Sequence, residues 1–321
     1  MTTPPPGRTD LRPYPVEIAP PDLSAHRAGN TGVAYFTTLA APRPGPHVMV
    51  TALMHGNELC GAVVLDRLLR DGFRPDRGRL TLGFCNVAAY LQFDPDCPTL
   101  SRYVDEDLNR VWDEAVLDGD RTSPELERAR EIRPLLDDVD MLLDIHSMQH
   151  PTEPLMLAGP LDKGRRLAES VGVPATIVLD AGHAAGRRMR DYGRFADPEA
   201  PGAALLVECG QHWAATSVTV ARETLVRFLV AAGVAGQDRF DPVACPEQTV
   251  IEVTQPVTVE TNRFRFSRSY LGMEIIEKAG TVIGHDGDRE VRTPHDRCVL
   301  IMPSRRLGRG QTAVRLGRII G

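Results

Sequence analysis

Between Val48 and Leu69 an apolar run, VMVTALM, breaks at His55-Gly56-Asn57-Glu58 and resumes with Leu59, Val63, Leu65 and Leu68 spaced as one face of a helix. This pattern predicts a strand, a sharp turn and a helix that ends near Asp71-Gly72. Further strand-like runs fall at Val33–Thr38, His47–Ala52, Leu80–Cys85, Met141–Ile145, Thr176–Leu179 and Ala204–Cys209. They alternate with amphipathic stretches of helical length, among them Pro124–Leu136 and Ser217–Ala232. Such alternation predicts an α/β fold, a sheet with helices on its faces. After Gly236 the period changes to Val/Ile/Thr alternation punctuated by Gly and Pro, which predicts a smaller all-β domain. The resulting division is an N-terminal arm over 1–30, an α/β domain over 31–240 and a β-sandwich-like C-terminal domain over 241–321.

Composition narrows the functional classes. A chain of 321 residues, 42% hydrophobic and 25% charged, can bury one sizeable core and a second small one. A net charge of -6 argues against a nucleic-acid surface, which needs Lys and Arg to neutralise phosphates. No apolar run approaches the roughly 20 residues of a membrane helix, and MTTPPPGRTDLRPYP has no apolar signal core, so a cytoplasmic protein is expected. Six cysteines without a C-x-x-C pair read as reduced thiols and not as a disulfide framework or a thiolate zinc site. In the C-terminal part, AGTVIGHDGDREVRTPHDRCVLIMPSRRLGRGQ has the Gly and Pro rhythm of a biotinyl- or lipoyl-like sandwich. A carrier needs a lysine at the hairpin apex, and Lys278 precedes this rhythm, so the segment reads as a structural or site-covering domain.

The turn after the apolar run is the first candidate for chemistry. His55 and Glu58, three residues apart at the carboxyl end of a strand, can reach one divalent ion; the alternative is a polar turn that caps a helix. His146 ends a second strand-like run, MLLDIH, with 87 residues between it and Glu58. Two imidazoles and one carboxylate leave a position open for water, as a catalytic zinc requires. Asp144 is either structural or orients an imidazole. In the segment Ser101–Trp112, Arg102 has the chemistry to polarise a scissile carbonyl, and Asn109 with Arg110 to hold a carboxylate; a solvated charged loop is the alternative. Glu208 ends the run ALLVE, where a carboxylate is either salt-bridged or catalytic. His212 reads as packing or supporting hydrogen bonding, and His150, His183, His285 and His295 have no comparable context.

Taken in order, HGNE, RYVDEDLNRVW, LLDIH and LVECG resemble the succinylglutamate desuccinylase/aspartoacylase family, which is similar to the zinc carboxypeptidases. The resemblance spans roughly 45–321 and implies a zinc-carboxypeptidase-like mixed sheet flanked by helices, with a smaller C-terminal all-β domain. It implies one zinc per chain on His55, Glu58 and His146, Glu208 as general acid/base, Arg102 on the substrate carbonyl, and Asn109 with Arg110 on a carboxylate. The family also places a substrate-binding arginine ten or more residues before the catalytic glutamate. Arg187, Arg188 and Arg190 compete for that role, with Arg190 preferred. Gly210-Gln211-His212-Trp213 departs from the aspartoacylase version, so aspartate specificity is not carried over. The implied activity is hydrolysis of the amide bond of a small anionic N-acyl amino acid or related N-acylated amine, with no membrane or nucleic-acid partner and the subunit count left open between monomer and homo-oligomer. The alternatives are a metallocarboxypeptidase acting on a short peptide and a non-catalytic small-anion-binding protein on the same fold.

Overall fold

Continuous apolar runs must be covered on both faces, and they set the centre of the molecule. The computed structural model describes residues 14–305 and 307–321; the opening of the predicted arm, residues 1–13, lies outside the described residues. The elements are β1 (Phe36–Ala40), β2 (His47–Ala52), α1 (Leu59–Arg70), β3 (Arg79–Phe84), α2 (Val87–Tyr90), α3 (Glu114–Leu117), α4 (Pro124–Leu136), β4 (Met141–Met148), β5 (Leu155–Leu157), α5 (Asp162–Val171), β6 (Thr176–Leu179), β7 (Ala203–Gln211) and α6 (Ala215–Ala231). Then follow β8 (Thr249–Thr258), β9 (Phe264–Phe266), β10 (Glu274–Ile276), β11 (Val282–Asp286), β12 (Arg289–Arg292), β13 (Cys298–Ile301) and β14 (Thr312–Ile319).

Eleven strands form one mixed sheet in the order β1-β3-β2-β4-β7-β5-β6-β8-β14-β13-β10. Its heart is parallel: β3, β2, β4 and β7 run side by side, and every residue of β2 and β7 is buried. Helices α1, α5 and α6 cover one face through Leu59, Leu65, Leu167, Val171, Leu225 and Phe228. On the other face α4 packs Leu126, Ala129, Ile132 and Leu136. This helix starts on schedule, because the Ser123 hydroxyl accepts from Leu126 N (3.0 Å) and Pro124 occupies the first turn, where a missing N–H costs nothing. The architecture is the predicted one, a mixed sheet flanked by helices with a separate antiparallel region near the C-terminus.

Residues 14–30 lie against this core. Ile18 and Leu23 are buried, Glu17 N donates to Trp213 O (2.9 Å), and the Glu17 carboxylate accepts from Ala215 N (2.8 Å). The C-terminal strands β8, β14, β13 and β10 extend the same large sheet antiparallel to one another, and β12-β11-β9 form a second sheet. Met148, Leu157 and Leu206 share one cluster with Ile251, Val299 and Ile301, whereas Val257, Phe264, Ile283, Val291 and Leu316 form a core of their own. Two elements escape the hydrophobic pattern: β5 is three residues long, and α5 buries only Gly164, Leu167, Ala168 and Val171. Strand β4 also runs past Ile145, so that His146 is a strand residue. Among the described residues no helix is long and apolar enough to cross a membrane.

Candidate active site

Strand β2 delivers the chain to Leu53, which is fully buried in the left-handed region (φ 58°). That conformation costs a leucine about 1–2 kcal/mol, and it swings the chain into His55-Gly56-Asn57-Glu58. Glu58 occupies the N-cap position of α1 but makes no side-chain cap hydrogen bond. Its carboxylate faces two imidazoles instead: Oε1 lies 2.7 Å from His55 Nδ1 and Oε2 lies 2.9 Å from His146 Nδ1. The capping alternative is thereby set aside. One ligand atom from each of His55, Glu58 and His146 can be chosen so that all lie within 4.8 Å of one another, and all three residues are buried.

The outer nitrogens of both rings are held by further carboxylates. His55 Nε2 meets Asp107 Oδ1 at 2.9 Å, and His146 Nε2 meets Asp144 Oδ2 at 2.7 Å, while Thr51 Oγ1 donates to Asp144 Oδ1 (2.8 Å). A tautomer with Nε2 protonated and donating to these carboxylates would leave each Nδ1 lone pair to an ion bound beside Glu58, and Arg102 Nη2 lies 2.8 Å from His55 Nε2 as well. Burial disfavours charge on Glu58 and on His146, yet the neighbouring groups prevail. The imidazoles of His55 and His146 hold the Glu58 carboxyl well below its usual range, and Asp144 with Glu58 hold His146 well above. A cation is therefore favoured at the centre of the cluster, and the donor set of two nitrogens and a carboxylate suits a zinc-type ion.

The loop that follows α2 closes over this turn. A Cβ at Gly56 would lie 2.4–2.5 Å from Tyr90 N, Ala89 C and Ser101 O, so only glycine admits the approach. Gly56 N donates to Arg102 O (3.0 Å), and the Arg102 guanidinium reaches Glu58 Oε1 (3.2 Å) and Asp107 Oδ2 (3.1 Å). Buried Glu125, in the first turn of α4, anchors the next residues by accepting from the backbone N–H of Val104 (2.7 Å), Asp105 (3.1 Å) and Glu106 (3.3 Å) and from Asn86 Nδ2 (3.0 Å). Glu125→Ala is expected to cost about 3 kcal/mol, because it strands these donors. Urea denaturation at an unchanged midpoint would mean that another contact holds the loop.

Glu208 on β7 is the register partner of His146 on β4, so their side chains stand side by side on one face of the sheet. Glu208 is 7% exposed, and its Oε2 is buried with no hydrogen-bond partner among the described residues. Burial pushes this carboxyl up to about 8; the Glu58 charge adds to the rise, and His146, Arg102 and Arg315 oppose it. A salt-bridged structural glutamate would show the reverse. His212 is buried and within 2.8 Å of Ser147 Oγ, a neighbour of the cluster.

The arginines divide sharply. Arg110 Nη1 donates to Asn109 O (2.7 Å) and Nη2 reaches His183 Nε2 (3.2 Å). The Asn109 side-chain oxygen accepts from Met189 N (3.0 Å), so the amide ties two loops together while its nitrogen faces His146 at 3.5 Å. Arg190 is not brought to the cluster. Its guanidinium donates to Ala158 O (3.0 Å), Ala204 O (2.7 Å) and Asp191, and Ala204 lies four residues, or about 13 Å, back along β7 from Glu208. Arg190, the arginine preferred from the sequence for substrate binding, is held by these contacts behind the strand end that carries Glu208. Arg187 is surface-exposed near Asp113 (3.4 Å), and Arg188 makes a bidentate pair with Asp180 (2.9 and 2.9 Å).

Five residues of this arrangement are not singled out by the sequence pattern: Asp107, Glu125, Asp180, His183 and Arg315. Only Arg315 carries a local signal, since an arginine inside the apolar strand TAVRLGRI has to find a partner in the interior.

Residues 44–231 match the family model of the succinylglutamate desuccinylase/aspartoacylase catalytic domain. The chain is 24% identical over 316 residues to a succinylglutamate desuccinylase of Vibrio cholerae, covering 91% of this chain and 85% of that one. It is 29% identical over 120 residues to mouse aspartoacylase, covering 35% of this chain and 37% of the relative. The crystal structure of a succinylglutamate desuccinylase from Vibrio parahaemolyticus superposes with a TM-score of 0.70 at 17% identity, covering 91% and 90% of the two chains, which shows a shared fold.

Proposed function

The chain belongs to the succinylglutamate desuccinylase/aspartoacylase family, and from that premise we propose that it is a zinc-dependent hydrolase that cleaves the amide bond of a small anionic N-acyl amino acid or related N-acylated amine. The observation that carries this reading is the partnerless acid of Glu208 standing beside a buried His-Glu-His cluster. His55 and His146 through Nδ1, and Glu58 through its carboxylate, would hold one ion per chain. Bound there, zinc supplies a Lewis acid that polarises an amide carbonyl and eases the ionisation of water.

The chain's own groups do the rest. Glu208, with no hydrogen bond on Oε2 to compete, takes the proton from the attacking water and later delivers it to the leaving amine. Arg102, poised over Glu58 and Asp107, donates hydrogen bonds to the carbonyl oxygen as negative charge develops on it. Asp107 and Asp144 keep both imidazoles in the tautomer that leaves Nδ1 free to ligate. Arg110 faces a carboxylate of the substrate.

Elemental analysis of the purified chain, run beside hydrolysis of a panel of N-acyl amino acids and short peptides, tests the reading. About one zinc per chain is expected, with turnover of acyl-amino acids that disappears on chelation and returns with zinc. Peptides cleaved in preference to acyl-amino acids would favour a carboxypeptidase. A metal-free chain that cannot be reconstituted and hydrolyses nothing would favour an anion-binding protein.

A further inference from the structure

Strands β2 and β4 run in register only as far as Ala52 and Ile145, so their ladder stops one residue short of His146 and before the turn that carries His55 and Glu58. A metal site tolerates only about 0.5 Å of error in its ligands, so something beyond the ladder has to hold the two segments in place. Two direct ties cross between them: Ser147 N donates to Glu58 Oε2 (3.1 Å), and Cys60 Sγ, at 3.8 Å, to His146 O.

A third segment bridges both. On β7 Glu208 pairs with His146 but Gln211 pairs with Met148, so β7 carries one extra residue here, a bulge that includes Gly210 at φ 103°, where glycine is favoured. Gln211, His212 and Trp213 follow, all buried. Toward β4, His212 N donates to Met148 O (2.8 Å), Gln211 Nε2 donates to Gln149 O (3.4 Å), and His212 Nδ1 lies 2.8 Å from Ser147 Oγ. Toward the turn, Trp213 Nε1 donates to Asn57 O (3.2 Å). The segment is also closed on itself, because Trp213 N donates to Gln211 Oε1 (2.9 Å). The Asn57 side chain makes no hydrogen bond of its own among the described residues, so its carbonyl is the point by which the indole holds the turn. The two side-chain targets, Asn57 and Ser147, are the immediate chain neighbours of Glu58 and His146. Residues that merely filled space would need no polar atoms aimed there.

We propose that His212 and Trp213 are positioning residues for the metal ion. Trp213 sets the turn that carries His55 and Glu58. His212 sets Ser147, whose N–H holds the Glu58 carboxylate and whose chain neighbour is His146. Affinity for the ion therefore depends on a segment that supplies none of the three ligands. The inference rests on the zinc reading above, but not on the reaction assigned to it.

Zinc affinity of the full chain, read without substrate by competition with a chromophoric chelator, tests this. Trp213→Phe keeps an aromatic ring and loses the Nε1–H, while His212→Ala removes the partner of the Ser147 hydroxyl; each is expected to weaken zinc binding by about 10–100-fold. In His212→Asn an amide can meet that hydroxyl as donor or acceptor, so affinity is expected within a few-fold of wild type. Cobalt in place of zinc gives a second readout: its visible absorption follows ligand geometry and should shift in Trp213→Phe and His212→Ala but not in His212→Asn. A merely structural segment would lower the urea midpoint of the metal-free chain and leave zinc affinity and cobalt bands unchanged in the folded variants, and that result overturns the proposal. Equal losses in His212→Ala and His212→Asn would overturn the role of His212. Where Trp213→Phe does not fold, the contrast between the two His212 variants decides. A wild-type chain that binds no zinc sinks the proposal together with the zinc reading. Zinc weakened as expected, in a chain whose wild type hydrolyses no acyl-amino acid or peptide, would uphold the positioning role and sink the hydrolase reading alone.

Discussion

Glu208→Gln is expected to lower turnover by about 10²–10⁴-fold, the range that general acid–base groups contribute, while metal content stays at the wild-type level. The amide has the same shape but cannot take a proton from water or return one to an amine. Nothing in the fold depends on the carboxylate's charge: Oε2 has no hydrogen bond among the described residues, and burial favours the neutral form. The variant should therefore melt no lower than the wild type, which separates lost chemistry from lost structure. Steady-state turnover, elemental analysis and thermal melting on one preparation provide the check. Turnover within a few-fold of wild type would remove Glu208 from the proton-transfer role.

The second large effect falls on His146, where ligand and structure cannot be separated. His146→Ala removes Nδ1 from the cluster and leaves Asp144, fully buried, with the Thr51 hydroxyl but without its imidazole. Breaking a buried ion pair from one side costs about 3–5 kcal/mol, so the variant should lose both its metal and much of its stability. Adding Asp144→Asn removes the stranded charge. The double variant is expected to recover stability in urea denaturation without recovering zinc by elemental analysis. A single variant that keeps its metal would show that His146 is not a ligand.

The buried cluster and Glu208 were legible as candidates because each lies at the end of an apolar strand-like run, where a polar group is costly to bury. His55 with Glu58, His146 and Glu208 are all of this kind, and the sheet register brings the last two together. The arginines were less legible. Arg187, Arg188 and Arg190 look alike in sequence, and only packing separates one at the surface, one paired with Asp180 and one tied to carbonyls of the sheet. Glu125 and His183 were invisible for another reason. Their partners are backbone N–H groups about 20 positions away for the first and a strand 132 positions away for the second, so no local pattern encodes them. The C-terminal strands were recognised as β structure, but their union with the central sheet depends on the pairing of β6 with β8, which hydrophobic alternation does not specify.

That union bears on how the molecule avoids sticking to itself. Were the sheet to stop at β6, Ile177 and Val178 would belong to an open edge, with free backbone groups ready to pair with another chain. Strand β8 covers that edge along Thr176–Leu179, and the sheet continues until it ends on β10, only three residues long, and on β1 at the other side. Short terminal strands make poor templates for fibrils. The strands beyond β6 thus guard solubility as well as bringing Arg315 to Asp180, and a chain cut before Thr249 would forfeit both.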